Sequence, residues 1–363
     1  MTNTFCAMKT IDLTINGFKC FNSSTIKLNN LTVLTGANAS GKSSIIQSLL
    51  LMKIGSENAQ STSISLADDR FALDLGFPDS IINNELKSDE VIISLDDCSL
   101  SFLGAEQKSE RKLNVHFSHQ KELQELLKSF NYLSAERQGP RYEYKKNNES
   151  QDNCGCHGEN TGNIISNEWN TRIDIKRLFN KEAKEDNLFK IQMDSWVNYI
   201  FPGIALRIQQ TGSRNYQVLV NDKFHNVTTY ASNIGFGISY ALPIIVESLL
   251  AKENGWLVVE NPEAHLHAKA QSNMGYFLGV MAASGIRTII ETHSEHIVNG
   301  IRRAATTGTN LSPKDVNVYF FKNKSDYDLI TIDEKGNLSD FPVDFFDQSR
   351  QDLLEIINST MKK

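Results

Sequence analysis

Gly36, Ala37, Asn38, Ala39, Ser40, Gly41, Lys42 and Ser43 fit the spacing G-x-x-x-x-G-K-[ST]. The two glycines let the chain curl so that successive backbone N–H groups face one centre. A helix beginning just after the loop adds its positive end to the same point. Such a loop cradles phosphate. Lys42 would reach the β- and γ-phosphates, Ser43 would hold Mg²⁺, and Ser44 would support the α-phosphate side. A glycine-rich turn with no such role could share the composition, but the context argues against it. Residues 31–35 (LTVLT) form a compact apolar strand, and 43–53 place Ile45, Ile46, Leu49, Leu50 and Met52 at helical positions. The loop alone does not name the reaction, because kinases, GTPases and transport ATPases share it.

A second set of polar residues ends apolar strands. In WLVVENPEAHLH (256–267) the strand closes on Glu260, the place of an acid that orients Mg²⁺ and its waters beside a phosphate loop. Glu263, three residues on, is the candidate to polarise an attacking water; its alternative role is to cap the following helix, which Pro262 would begin. In RTIIETHSEH (287–296) another apolar strand runs into a Glu291-Thr292-His293-Ser294 turn. His293 would sense or stabilise a γ-phosphate, or else be a structural histidine. His265 and His267 are two apart and diverge on a helix, so they do not suggest zinc. SNIGFGISYALPI (232–244) offers Ser232, Gly235 and Gly237 ahead of a helix, a second nest for an anion. With one phosphate loop already present, this nest suits a nucleotide held by another copy.

The elements that must position these groups alternate in type. Residues 9–35 suggest two or three short strands, and runs at 91–95 and 113–117 suggest antiparallel ones. Residues 120–130 suggest an amphipathic helix. Residues 146–165 are polar, contain Gly155, Gly158 and Gly162, and suggest a flexible insertion or lid. Residues 173–200 suggest one or two helices, and 204–210 with 215–220 a hairpin. After 238 a strand–helix alternation argues for a mostly parallel sheet covered by helices, with a helix over 264–283. The expected division is 1–53 as the first part of a phosphate-binding α/β domain, 54–230 as accessory strands, insertion and helical lobe, and 231–363 as its second part.

Composition narrows the class. Of 363 residues, 40% are hydrophobic and 22% charged, enough for a core without staples. The formal net charge of −6 supplies no global field for nucleic acid. Arg111 with Lys112, Arg141 with Lys145 and Lys146, and Arg302 with Arg303 are small basic groups suited to a solvated surface or a local basic face. Five cysteines without scaffold spacing suggest a reducing compartment. Cys154, Cys156 and His157 are close enough to raise zinc, but their spacing and missing fourth ligand favour a thiol-bearing loop. There is no leader pattern and no apolar run of about 20 residues, so a cytoplasmic protein off the membrane is expected.

Taken in order, GFKCF, LTVLTGANASGKSS, YLSAERQGP, NIGFGISYALPI, VVENPEAHLHAKAQS and ETHSEHIVNGIRR resemble the ABC/SMC-type ATPase heads. More closely they resemble bacterial AAA15/OLD-like ATPases with a DUF3696-type C-terminal region. The resemblance covers 9–53, 131–140 and 230–321. It implies ATP and Mg²⁺ sandwiched between two heads, so at least a dimer. Lys42 and Ser43 would come from one head and the Ser232–Gly237 segment from the other. Glu260 would be the Walker B acid, His293 the switch histidine, and Arg137 a coupler of the middle insertion to nucleotide. One departure stands out: Asn261 follows the acid where ABC-type heads usually carry the catalytic glutamate, and it cannot act as a base. Glu263 would then take over, or turnover would be slow. Relatives of this kind often act in bacterial antiphage defence beside a nuclease or other toxic effector, which here would be a separate protein. A DNA-repair or chromosome-associated ATPase, with nucleic acid as partner, and a low-turnover ATP-dependent scaffold are the alternatives.

Overall fold

The computed structural model describes residues 8–57, 62–85, 90–104, 111–145, 152–179, 186–211, 215–224, 226–230, 233, 235–324 and 326–361. The chain opens with β1 (Ile11–Phe18), β2 (Phe21–Leu28), β3 (Leu31–Gly36) and α1 (Lys42–Glu57). Short strands β4 (Ser63–Ser65), β5 (Ala67–Asp68) and β6 (Leu73–Asp74) precede β7 (Glu90–Leu95) and β8 (Cys98–Leu103). Then come β9 (Lys112–Asn114), β10 (His116–Ser118), α2 (Gln120–Leu126) and β11 (Phe130–Leu133). The middle holds β12 (Tyr144–Lys145), α3 (Thr161–Glu168), α4 (Phe189–Ile200), β13 (Ile204–Thr211), β14 (Asn215–Asp222) and β15 (Val227–Tyr230). The last third holds α5 (Phe236–Leu250), β16 (Trp256–Glu260), α6 (Ala268–Ala283), β17 (Arg287–Glu291) and α7 (Glu295–Thr306). It ends with β18 (Val316–Asn323), β19 (Asp326–Ile330) and α8 (Gln348–Met361).

The central sheet has the order β11-β16-β17-β3-β18-β19. Its first five strands are parallel and β19 is antiparallel. Strand alternation divides the core in two. Leu31, Val33, Leu257, Val259, Ile290 and Phe320 pack with α4 to α7 on one face. Leu34, Val258, Ile289, Tyr319 and Phe321 pack on the other face, against α1 and an antiparallel sheet of order β10-β8-β7-β1-β2. Both faces are covered, which explains why the parallel strands read as nearly continuous apolar runs.

Within the segment expected to be accessory, β11 runs in the central sheet, and β7, β8 and β10 pair in the antiparallel sheet with β1. The expected hairpin is present as β13 and β14, joined by β12 and β15. Residues 152–165 correct the expectation of a flexible lid. Cys154 and Cys156 are buried, and α3 begins at Thr161. The strip also pairs with the strand exit after β11, through Ser134 N to Cys156 O (2.9 Å) and Gln138 N to His157 O (2.7 Å). Gly155 and Gly158 adopt φ of 79° and 75°, which lets so polar a stretch fold tightly. Residues 146–151 lie outside the described residues. The helix expected over 264–283 begins instead at Ala268, capped by His267, and Pro262 lies in the preceding turn. Among the described residues no helix is long and apolar enough to cross a membrane.

Candidate active site

The loop from Gly36 to Ser43 leaves the C-terminal end of β3 and enters α1. Gly36 has φ 130°, and a Cβ there would lie 2.1 Å from the Phe321 carbonyl oxygen on β18, so only glycine fits. Gly41 (φ 110°) and Ala39 (φ 58°) also take left-handed conformations, turning the intervening amides inward. The Ser40 hydroxyl donates to Ala37 O at 2.7 Å and braces the curl. Lys42 is buried, and its ammonium donates to Gly36 O at 3.1 Å and Ala37 O at 2.6 Å. Burial lowers its pKa, while the nearby Glu291 carboxylate acts in the opposite sense.

Opposite the loop stand the ends of β16 and β17. Glu260 and Glu291 are register partners on these parallel strands. Each follows a residue packed on the α4–α7 face, so both carboxylates project toward α1. Glu260 Oε1 accepts from the Tyr132 hydroxyl at 2.8 Å. The Ser43 hydroxyl lies 3.3 Å from each carboxylate oxygen of Glu291. Burial raises the pKa of both acids, that of Glu291 to about 7 with a further contribution from Glu260. Asn38, Ala39, Lys42, Ser43, Ser44, Glu260, Asn261, Glu291 and His293 are among the walls of one cleft of about 410 Å³.

Two further groups fix the turns beyond the strands. Glu263 accepts from the Thr292 hydroxyl and the His293 amide, both at 2.7 Å. It thereby ties the turn after β16 to the turn that carries His293. Burial, then Lys42, lower the His293 pKa, while Glu263 acts in the opposite sense. Arg137 is buried and donates to four carbonyl oxygens: Ser134 (2.8 Å), Tyr240 (3.1 Å), Glu260 (2.6 Å) and Asn261 (2.7 Å). Asn261 sits at φ 45°, its amide donating to Glu291 O at 2.8 Å.

The profile of a family described as an AAA ATPase domain (AAA_15) matches residues 8–103 and 79–298. The chain belongs to that family. A second profile, described as a protein of unknown function (DUF3696), matches residues 311–356 of this ATPase-family chain. No curated protein matches it. Among solved structures, an SMC head bound to the C-winged-helix domain of ScpA is similar at 11% identity and a TM-score of 0.50, over 90% of this chain and 98% of that one. The SMC head with an extended coiled coil bound to the C-terminal domain of ScpA, from Pyrococcus furiosus, is similar at 11% identity and a TM-score of 0.51, over 96% and 99%. The fold of this AAA ATPase domain is therefore that of the SMC heads, a P-loop α/β architecture.

In this ATPase head, Gly235 and Gly237 are the residues expected to serve a second copy that the structure describes. Gly235 (φ 99°) caps α5 and faces open space, while Gly237 packs against His265 O; neither is among the cleft walls. Ser232 lies outside the described residues. Arg302 and Arg303 are engaged in local hydrogen bonds, Arg302 to Gly336 O and Arg303 to Tyr199 Oη and Asn273 Oδ1. Sequence reasoning missed Tyr132 and the placement of Glu291. An acid closing an apolar strand was the available signal for Glu291, the same one that marked Glu260.

Proposed function

We propose that this chain is an ATP-binding head that hydrolyses ATP with Mg²⁺ and closes against a second copy around the nucleotide. The observation that carries the reading is the meeting of Lys42, Ser43, Glu260 and His293 in one cleft. The loop amides would hold the phosphates, and Lys42 would exchange the Gly36 and Ala37 carbonyls for the β- and γ-phosphates. Ser43 and Glu260 offer the oxygen donors that Mg²⁺ favours. Bound there, the cation would neutralise charge between the β- and γ-phosphates. His293 would read the γ-phosphate. Glu263, held in place by Thr292 and the His293 amide, would polarise the attacking water. The Ser232–Gly237 segment, open at Gly235, would cover the nucleotide of the other copy.

Asn261 supports a second reading, a clamp with low turnover, since an amide cannot take the proton of the attacking water. In the cell we assign the head to a bacterial antiphage defence complex with a separate effector, on the strength of the motif set. The similar SMC heads bind domains of ScpA, and a partner protein on this head would be the counterpart. Co-purification with a neighbouring gene product tests that assignment. The site itself is tested by titrating a fluorescent ATP analogue with Mg²⁺ and measuring particle mass with and without ATP. Wild type should bind and double in mass; Lys42→Ala should do neither. A wild-type chain that stays monomeric and binds no nucleotide overturns the proposal.

A further inference from the structure

We propose that Glu291 is a positioning residue of the cation site, accepting a hydrogen bond from the Ser43 hydroxyl so that the oxygen lone pair faces a divalent cation. The inference rests on the ATP-binding reading and adds a second acid to it. Three observations support the assignment. The Ser43 hydroxyl is 3.3 Å from both Glu291 carboxylate oxygens. Glu260, the acid expected from the sequence, is instead held by the Tyr132 hydroxyl at 2.8 Å. The two acids are register partners, and Glu291 is fixed at both ends: its carbonyl accepts from the Asn261 amide, and the following Thr292 amide donates to Leu34 O on the phosphate-loop strand.

A serine hydroxyl that binds a cation through oxygen must place its hydrogen elsewhere. An ionised carboxylate at hydrogen-bond reach is the strongest available acceptor, and a cation bound beside it would favour that ionised form. Glu291 supplies that acceptor, while Glu260, oriented by Tyr132, would hold the cation's waters. The cation end of the cleft thus has two carboxylates with different tasks, one acting on Ser43 and one on the water shell.

The test is the Mg²⁺ dependence of binding of a fluorescent ATP analogue, for wild type, Glu291→Gln, Ser43→Ala and the double variant. Partners that orient metal ligands typically change metal affinity 10- to 100-fold. Glu291→Gln should therefore raise the Mg²⁺ concentration at half-maximal binding by about tenfold. Affinity in EDTA should not weaken, because removing a negative charge does not harm phosphate binding. The double variant should be no worse than Ser43→Ala alone, since both act through one hydroxyl. An unchanged Mg²⁺ dependence in Glu291→Gln, or full additivity with Ser43→Ala, overturns the assignment. Should Glu291→Gln not fold, Glu291→Asp keeps the charge but shortens the reach, and a wild-type Mg²⁺ profile for it overturns the assignment as well. Wild-type nucleotide binding that ignores Mg²⁺ sinks this inference alone; no wild-type binding under any condition sinks the ATP-binding reading with it.

Discussion

Glu247 lies on α5, fully enclosed, with its Oε1 accepting from the Cys154 amide. Burial raises its pKa from 4.5 to about 7, against the lowering effect of that amide. A folded-state pKa above the unfolded one means that the folded protein binds more protons between these values. Stability from this group is therefore complete below about pH 4.5 and lost as pH rises through about 7. Each pH unit is worth about 1.4 kcal/mol, so the span corresponds to about 3 kcal/mol. Glu247→Gln keeps an acceptor for Cys154 and removes the titration. Urea midpoints for both proteins from pH 4.5 to 8 isolate the effect, because every other group cancels in the difference. Stability of the variant relative to wild type should climb by about 3 kcal/mol across that range and then level off. A difference that is flat with pH refutes the claim that an enclosed carboxyl group of raised pKa holds the Cys154 strip to α5.

Arg137→Lys removes the planar fork that reaches the Glu260 and Asn261 carbonyls together. At least two carbonyl bonds should go unmade, costing about 2–4 kcal/mol in urea denaturation, and an unchanged midpoint would refute the clamp. Glu263→Gln should cut steady-state phosphate release by at least about tenfold while leaving ATP-analogue binding intact. Equal, measurable rates in variant and wild type would remove Glu263 from catalysis, and background rates in both would favour the low-turnover clamp.

What the sequence disclosed was contiguous. The phosphate loop is eight residues between a strand and a helix, and its demands on glycine and lysine are local. Glu260 was legible because an acid closing an apolar strand is itself a local pattern. The Arg137 clamp was not, since its two key acceptors lie 123 and 124 residues away and are backbone oxygens that any side chain would provide. The 152–160 strip was misread for a related reason. Its polarity suggested solvent, but its order comes from backbone pairing with the segment after β11 and from two glycines with positive φ. Composition carries neither fact. The start of α6 moved because His265 takes a left-handed conformation, which breaks the helix that Pro262 could have begun.

Strand order explains why the second acid escaped a reading that found the first. β17 lies between the phosphate-loop strand β3 and β16. Adjacent strands are about 4.8 Å apart, so the end of β17 is one spacing from β3 and the end of β16 is two. At the same level along the sheet, a carboxylate on β17 that points toward α1 must stand nearer the start of that helix than one on β16. Glu291 meets both conditions: it is level with Glu260 and with Leu34, and it shares their face of the sheet. Its contact with Ser43 thus follows from a register that spans three strands, and Glu260, one strand farther out, finds Tyr132 of β11 on its other side. Moving the acid one position along β17 would turn it into the α4–α7 core, so the geometry depends on sheet register as much as on the identity of the residue.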